Sequence, residues 1–266
     1  MAKFDLAILG GGPGGYVAAI RGAQLGLKTC IIDKDKLGGI CLNWGCIPTK
    51  ALLKNAEVYH TIKNADTYGI TVGNVSVDFK KNIKRSRDVS NRLSKGIEFL
   101  MKKNKITHIS GTGKLISKTS IEVKNGRKTE TVEASNIIIA TGARPRTFPG
   151  MELDGKRVIS YKEAMVLDAP PKKMIIIGSG AIGSEFAYYY NEFGTEIHMV
   201  EMMDSLLPVE DADVSKEVEK SFKKSGIKVS TSTKVLKIES LKTKVKVHTE
   251  TNGKEAILEG DVALLA

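Results

Sequence analysis

Leu6-Ala-Ile-Leu-Gly-Gly-Gly-Pro-Gly-Gly15 runs an apolar strand directly into a glycine-rich turn. Gly10, Gly12 and Gly15 fall in the spacing Gly-x-Gly-x-x-Gly, and a helical pattern follows over residues 16–25. The arrangement recurs at Ile175-Ile-Ile-Gly-Ser-Gly-Ala-Ile-Gly183, with Gly178, Gly180 and Gly183 in the same spacing and a helical pattern over 184–193. Each helix ends at a glycine, Gly26 or Gly194, before a short strand that closes on an acid, Asp33 or Glu201. The acid lies 23 positions after the first glycine in both copies. The spacing has a mechanical reason. The first glycine permits the tight turn, the second lets backbone approach a pyrophosphate resting on the helix N-terminus, the third lets helix and strand pack closely, and the acid accepts from a ribose hydroxyl. One such motif is weak evidence, whereas two with strand, helix and acid in place predict two dinucleotide sites.

The repeat continues downstream. Each half carries alternating strands with an Asn-Gly hairpin signal, Asn125-Gly126 and Asn252-Gly253, and then an apolar run, Asn136-Ile-Ile-Ile-Ala-Thr-Gly142 and Asp261-Val-Ala-Leu-Leu-Ala266. The hairpin comes 115 residues after the first glycine in one copy and 74 in the other, so copy one carries 41 extra residues. Helical stretches over 48–63 and 88–103 lie in that extra material. The expected fold class is α/β: two Rossmann-like dinucleotide-binding domains, each with a three-layer ββα arrangement and a β-meander, over residues 1–149 and 150–266.

Composition narrows the partners. With 266 residues, 41% of them apolar, the chain can bury real cores. Its apolar runs are too short to span a bilayer and the N-terminus lacks a signal-peptide pattern, so no membrane and a cytoplasmic location are expected. The net charge of +11 comes from lysines scattered without aromatic interleaving, which argues against a nucleic-acid partner and for solvated faces, with an acidic protein or anionic cofactors as further takers.

The extra material of copy one holds Cys41-Leu-Asn-Trp-Gly-Cys46, two of the three cysteines. A metal site wants clustered ligands, yet Cys30 sits in a strand, where it reads as core, and the four histidines are dispersed; no metal is expected. Two dinucleotide sites suggest an electron relay, in which a cysteine pair would make a third station. Two buried cysteines remain the other reading. Five residues of regular helix rise about 7.5 Å, more than the roughly 7 Å between Cα atoms that a disulfide tolerates, so a bridged pair requires a distorted turn. Gly45 supplies the freedom and Pro48 suits the helix that follows, whose N-terminus would stabilise a thiolate. Trp44 reads as packing beside the cysteines or as lining a substrate channel.

The residues Gly38-Gly-Ile-Cys-Leu-Asn-Trp-Gly-Cys-Ile-Pro-Thr-Lys50, together with GGGPGG, IIIATGARP and GSGAIGSEF, resemble the flavin-dependent disulfide reductases over the whole chain, and within them the branch that oxidises dihydrolipoyl groups. The resemblance implies a redox disulfide between Cys41 and Cys46, with a substrate thiol attacking Cys41 and Cys46 facing the flavin. It implies FAD at Gly10, Gly12, Gly15 and Asp33, where most relatives have Glu, with Gly113, Thr141 and Gly142 passing close to it. Lys50 would lie near the flavin ring and pair with Glu185. NAD would sit at Gly178, Gly180, Gly183 and Glu201, with Val235 near the adenine; no Arg follows Glu201, and Ala181 stands where several NADPH-linked relatives place a tyrosine. The implied partners are the lipoyl domains of 2-oxo-acid dehydrogenase or glycine cleavage complexes and, in the full-length protein, a second subunit. The base in this family is a histidine of a C-terminal dimerisation domain, which is absent here, and none of His60, His108, His198 or His248 matches it. The chain therefore reads as an N-terminal fragment, inactive alone. The alternatives are a reductase of mercuric or glutathione type, or a non-catalytic module that binds FAD and NAD.

Overall fold

The computed structural model describes residues 3–266. The chain forms β1 (Lys3–Leu9), α1 (Pro13–Gln24), β2 (Thr29–Asp33), α2 (Gly39–Trp44), α3 (Cys46–Lys63), α4 (Phe79–Lys103), β3 (Thr107–Ser110), β4 (Thr112–Leu115), β5 (Ser120–Asn125) and β6 (Lys128–Ile139). It continues through β7 (Val158–Ile159), α5 (Tyr161–Ala164), β8 (Lys173–Ile177), α6 (Ala181–Glu192), β9 (Glu196–Val200), α7 (Ala212–Lys224), β10 (Lys228–Ser230), β11 (Thr233–Ser240), β12 (Val245–Thr251), β13 (Lys254–Gly260) and β14 (Val262–Leu265). It divides into two compact units. One holds the chain to Pro48 with Ser86–Arg144, the other Thr49–Arg85 with Pro145–Ala266. The fold class is the mixed α/β one expected, with parallel sheets in both units.

In the first unit the sheet order is β3-β2-β1-β6-β5-β4. β3, β2, β1 and β6 run parallel, and β6-β5-β4 is an antiparallel meander. β6 belongs to both parts, pairing with β5 over Lys128–Glu133 and with β1 over Glu133–Ile139. The apolar runs of β1 and β2 are explained by burial on both faces. Leu6, Ile8 and Ile31 pack with Ala19 of α1 and with Ile97 and Met101 of α4, while Ala7, Leu9, Cys30 and Ile32 pack with Ile121, Val123, Val132 and Ala134 of the meander. Cys30 is core, as its strand position suggested, and burial pushes its thiol up to about 12.

The second unit repeats the plan with one change. Its parallel sheet is ordered β10-β9-β8-β14-β7, and its meander β11-β12-β13 forms a separate sheet. The equivalent of β6 is divided at Asp261, whose amide and carboxylate pair with the Lys173 backbone at 2.9 and 3.0 Å and turn the chain from one sheet to the other. Val235, Val245 and Val247 of the meander pack on Ile175, Ala263 and Leu265 of the sheet.

Two expectations about element boundaries are corrected. The second helical stretch of the extra material begins at Phe79, nine residues before position 88, because Asp78 caps it by accepting from the Lys81 amide at 2.9 Å. The Asn252-Gly253 signal forms the two-residue turn, with both φ angles positive at 52° and 74°. In the first meander, however, Asn125 pairs with Lys128, the loop is Gly126-Arg127, and Gly126 alone takes positive φ.

Candidate functional site

The two glycine turns superimpose in their chemistry. Gly10 donates to Ile32 O at 2.8 Å and Gly178 to Val200 O at 2.9 Å, so each turn hangs from the end of the neighbouring strand. Their φ angles are +111° and +99°. A Cβ on Gly10 would fall 2.1 Å from Ala140 O, and one on Gly178 would fall 2.3 Å from Ala266 O. The third glycine answers to the first: a Cβ on Gly15 would lie 1.8 Å from Gly10 O, and one on Gly183 would lie 2.1 Å from Gly178 O. The middle glycine differs. A Cβ on Gly180 would meet nothing within 4 Å, and one on Gly12 would meet Gly39 Cα at 3.8 Å. In that direction the second turn is bare, and at the first only Gly39, itself without a side chain, comes close.

That face of each turn is also the start of a helix. Gly12 and Gly180 are the N-caps of α1 and α6, neither with a side-chain cap and neither helix with an acid in its first turn. Such an end presents unpaired amides and the positive pole of the helix dipole. A pyrophosphate fits this donor set at both turns. The acids close each site. Asp33 Oδ2 accepts from Gly11 N at 2.5 Å and Oδ1 from Asp35 N at 2.8 Å. Glu201, 8% exposed, accepts from Ser179 N at 2.8 Å and Ser179 Oγ at 2.7 Å on Oε2, and from Met203 N at 2.9 Å on Oε1.

Of the remaining residues singled out in the sequence, Thr141 and Gly142 follow β6 and are exposed, and a Cβ on Gly10 would lie 3.1 Å from Thr141 Cα. Gly113 is held on β4 by close packing, since a Cβ there would fall 2.4 Å from Leu9 Cδ1. Val235, on β11, is buried in the core of the second unit.

Cys41 and Cys46 are joined in a disulfide with 4.7 Å between Cα atoms. Cys41 belongs to α2, Cys46 opens α3, and Gly45 between them leaves helical geometry at φ −140°, ψ −117°. The distorted turn required for a bridge across five residues is therefore a break between two helices. Cys46 is exposed and Cys41 half-buried.

The segment that carries Cys41 is held by residues sequence reading did not single out. Asn43 Nδ2 donates to Leu37 O at 3.2 Å and Gly39 O at 3.0 Å, and its Oδ1 accepts from Ser94 Oγ at 2.9 Å. Ser90 Oγ donates to Leu42 O, and Arg87 Nη2 donates to Asn43 O. The Arg87 guanidinium lies 4.5 Å over the Trp44 ring. The signal was the serines and arginine at positions 87, 90 and 94, three and four apart on one face of α4, which is too common a pattern to read alone.

In the second unit, Lys50 of α3 forms an ion pair with Glu185 of α6, the pairing that the family resemblance implied. Lys50 is 61% exposed at the side chain, where ion pairs add little stability, so its interest is where it puts a charge. His60 Nδ1 meets Glu192 at 2.8 Å, and Lys63 meets the same carboxylate at 3.0 Å. Among the described residues no group of His, Cys, Asp and Glu could hold a metal ion, and no helix is long and apolar enough to cross a membrane.

The family described as pyridine nucleotide-disulphide oxidoreductase matches residues 4–266. The dihydrolipoyl dehydrogenase of Zymomonas mobilis is 52% identical over 229 residues, 86% of this chain and 49% of that protein. That of Bacillus subtilis is 42% identical over 275 residues, 99% of this chain and 58% of that protein. The crystal structure of LpdA from Mycobacterium tuberculosis matches at a TM-score of 0.90 and 29% identity, covering all of this chain and 58% of that one. The chain spans about half the length of the curated relatives it matches.

Proposed function

The chain belongs to the pyridine nucleotide-disulphide oxidoreductase family, and on that premise we propose that it supplies the two dinucleotide sites and the redox disulfide of a dihydrolipoyl dehydrogenase. The observation that carries the reading is the Cys41–Cys46 disulfide at a helix break, in the same unit as the first glycine turn. Residues 1–149 hold FAD through Gly10, Gly12, Gly15 and Asp33, with Gly113, Thr141 and Gly142 beside it. Residues 150–266 hold NAD through Gly178, Gly180, Gly183 and Glu201, with Val235 near the adenine. The Glu201 carboxylate supports NAD over NADP, since it would repel a 2′-phosphate.

The chemistry follows from the thiols. A thiolate of a dihydrolipoyl group attacks Cys41 Sγ, and the Cys41–Cys46 bond breaks with its electron pair leaving on Cys46 Sγ. The second substrate thiol then attacks the substrate sulfur of the mixed disulfide, closing the lipoyl ring and releasing Cys41. Two electrons and two protons have left the substrate. Cys46, at the N-terminal end of α3, is placed where unpaired amides stabilise a thiolate. FAD held at the first glycine turn would supply a two-electron acceptor for the reduced cysteine pair and a hydride donor for NAD+ held at the second. Lys50, one turn beyond Cys46 on α3 and paired with Glu185, supplies a fixed positive charge that favours negative charge on a reduced flavin. The base that deprotonates the entering thiol is outside these 266 residues in this reading, so residues 1–266 alone bind without turnover. The partners are lipoyl domains of 2-oxo-acid dehydrogenase or glycine cleavage complexes and a second subunit, in the cytoplasm.

The test is substitution of each cysteine in the intact polypeptide encoded by the gene. Cys41→Ser and Cys46→Ser should each lower dihydrolipoamide-dependent NAD+ reduction by about 10³-fold or more. A single-cysteine variant that keeps the parent rate would overturn the assignment.

A further inference from the structure

α2 has only six residues, so its last four carbonyls have no partner inside the helix. Two of these, Leu42 O and Asn43 O, are taken by Ser90 and Arg87 of α4. The choice of arginine at the second is not explained by capping. A serine, as at position 90, satisfies a carbonyl without bringing a charge, whereas Arg87, half-buried, brings a guanidinium. Its Nη1 is buried with no hydrogen-bond partner, and burial lowers its pKa from the ordinary arginine value. What compensates is the face of Trp44, 4.5 Å below, whose negative quadrupole attracts the cation. Asn43 lies two positions after Cys41 and Trp44 two positions before Cys46. The guanidinium is therefore anchored by two contacts, each two residues from a sulfur.

We infer that Arg87 is a positioning residue for the Cys41–Cys46 couple: gripping Asn43 O and stacking on Trp44, it fixes the end of α2 and puts a positive charge on the segment that carries both sulfurs, favouring the thiolate form when the disulfide is reduced. The inference rests on the redox reading above. In the reduction, a dithiol gives up two electrons and two protons; its own S–S bond forms as the Cys41–Cys46 bond breaks, and the two cysteines take the electrons, ending as two thiols when both protons stay with them or as one thiol and one thiolate when one proton passes to solvent. Of the two anchors, the stack needs the planar guanidinium and the electrostatic effect needs only the charge. Lysine keeps the second without the first, and glutamine keeps neither while retaining a donor for Asn43 O.

The experiment uses the intact, flavin-loaded protein reduced with dihydrolipoamide in the absence of NAD+, with iodoacetamide alkylation of Cys41 followed by mass spectrometry from pH 5 to 9. Arg87→Gln should shift the alkylation profile upward by about half to one pH unit, read as about three- to tenfold slower alkylation at pH 6, and Arg87→Lys should stay within about twofold of the parent. Arg87→Ala should shift at least as far as Arg87→Gln; if it fails to fold, the glutamine and lysine variants carry the comparison. A glutamine profile that superimposes on the parent, or a lysine profile displaced as far as the glutamine one, overturns the inference and leaves Arg87 a packing residue. If dihydrolipoamide does not reduce the pair in the parent protein, the redox reading itself fails, a result distinct from either.

Discussion

Gly180 and Gly183 stand three positions apart in one turn and answer to different constraints. The carbonyl of Gly178 lies 2.1 Å from where a Cβ on Gly183 would be, so Gly183→Ala forces backbone apart and should destabilise the second unit by about 1–3 kcal/mol. Gly180 has open space in that direction, so Gly180→Ala should leave the urea midpoint unchanged while weakening NADH binding by about tenfold, because the added methyl occupies the bare face where a pyrophosphate would rest. Urea unfolding and NADH titration of both variants separate the two effects; equal destabilisation by both would contradict this division. The glycines were legible because their contacts run between the first and third positions of one motif, five residues apart. Ser179, Arg87 and the approach of Gly39 to Gly12 were not, although Gly38-Gly39 reads as a place of backbone freedom. Ser179 meets Glu201 from 22 positions away, and a Cβ on Gly39 would fall 2.5 Å from Gly12 Cα, across a strand and a helix. Such approaches are set by tertiary packing and leave no period in the sequence.

At the scale of elements, the short edge strand β7 is held by a side chain. Asp154 Oδ1 accepts from the amides of Lys156, Arg157 and Val158 at 2.7 to 2.9 Å, and Oδ2 accepts from Ser240 Oγ at 2.6 Å, tying the start of β7 to the end of β11. Burial alone would raise the Asp154 pKa; the Ser240 hydroxyl and the three amides outweigh it and bring it down to about 2. A folded pKa below the unfolded value means stability that is present above about pH 4 and is lost as pH falls toward 2. Asp154→Asn should lower the urea midpoint at pH 7 and flatten its decline between pH 4 and 2; an unchanged slope in that window would contradict the role. The elements themselves were read from local signals with uneven success. Short apolar stretches leading into a glycine turn or ending in an acid placed β1, β2, β8 and β9, and the glycine pattern placed α1 and α6. The start of α4 was missed because its cap, Asp78, precedes Lys80 and Lys81 rather than an apolar run, so the helix pattern became visible only later. The short α5 has a full capping box in Ser160 and Glu163, a readable signal that was passed over because four residues show no periodicity.

At the scale of the whole molecule, the duplicated plan is the firmest inference from sequence, and it recurs in hydrogen bonds: Ala140 N donates to Leu9 O at 2.8 Å and Ala266 N to Ile177 O at 2.9 Å, the same closure in both copies. What no repeat can foretell is the grouping of the extra material. Residues Thr49–Arg85 fall with the second glycine repeat, where Tyr59 stacks on Phe193 and Phe79 packs against Tyr189 and Tyr190, although they precede that repeat by about a hundred residues. Aromatic contacts at such separation depend on the folded chain alone. Charge is also unevenly divided. The first unit has 17 basic and 8 acidic residues, a net of +9, against 24 and 22, a net of +2, in the second. A positive field of that kind draws in an anionic dinucleotide. The central claim, a relay from dithiol through Cys41–Cys46 to flavin and on to NAD, is tested most directly by the visible spectrum of the intact, flavin-loaded protein during anaerobic titration with dihydrolipoamide, followed by NAD+. The account predicts a long-wavelength thiolate-to-flavin band on reduction and NADH on addition of NAD+. A bound flavin whose spectrum dihydrolipoamide leaves unchanged would contradict it.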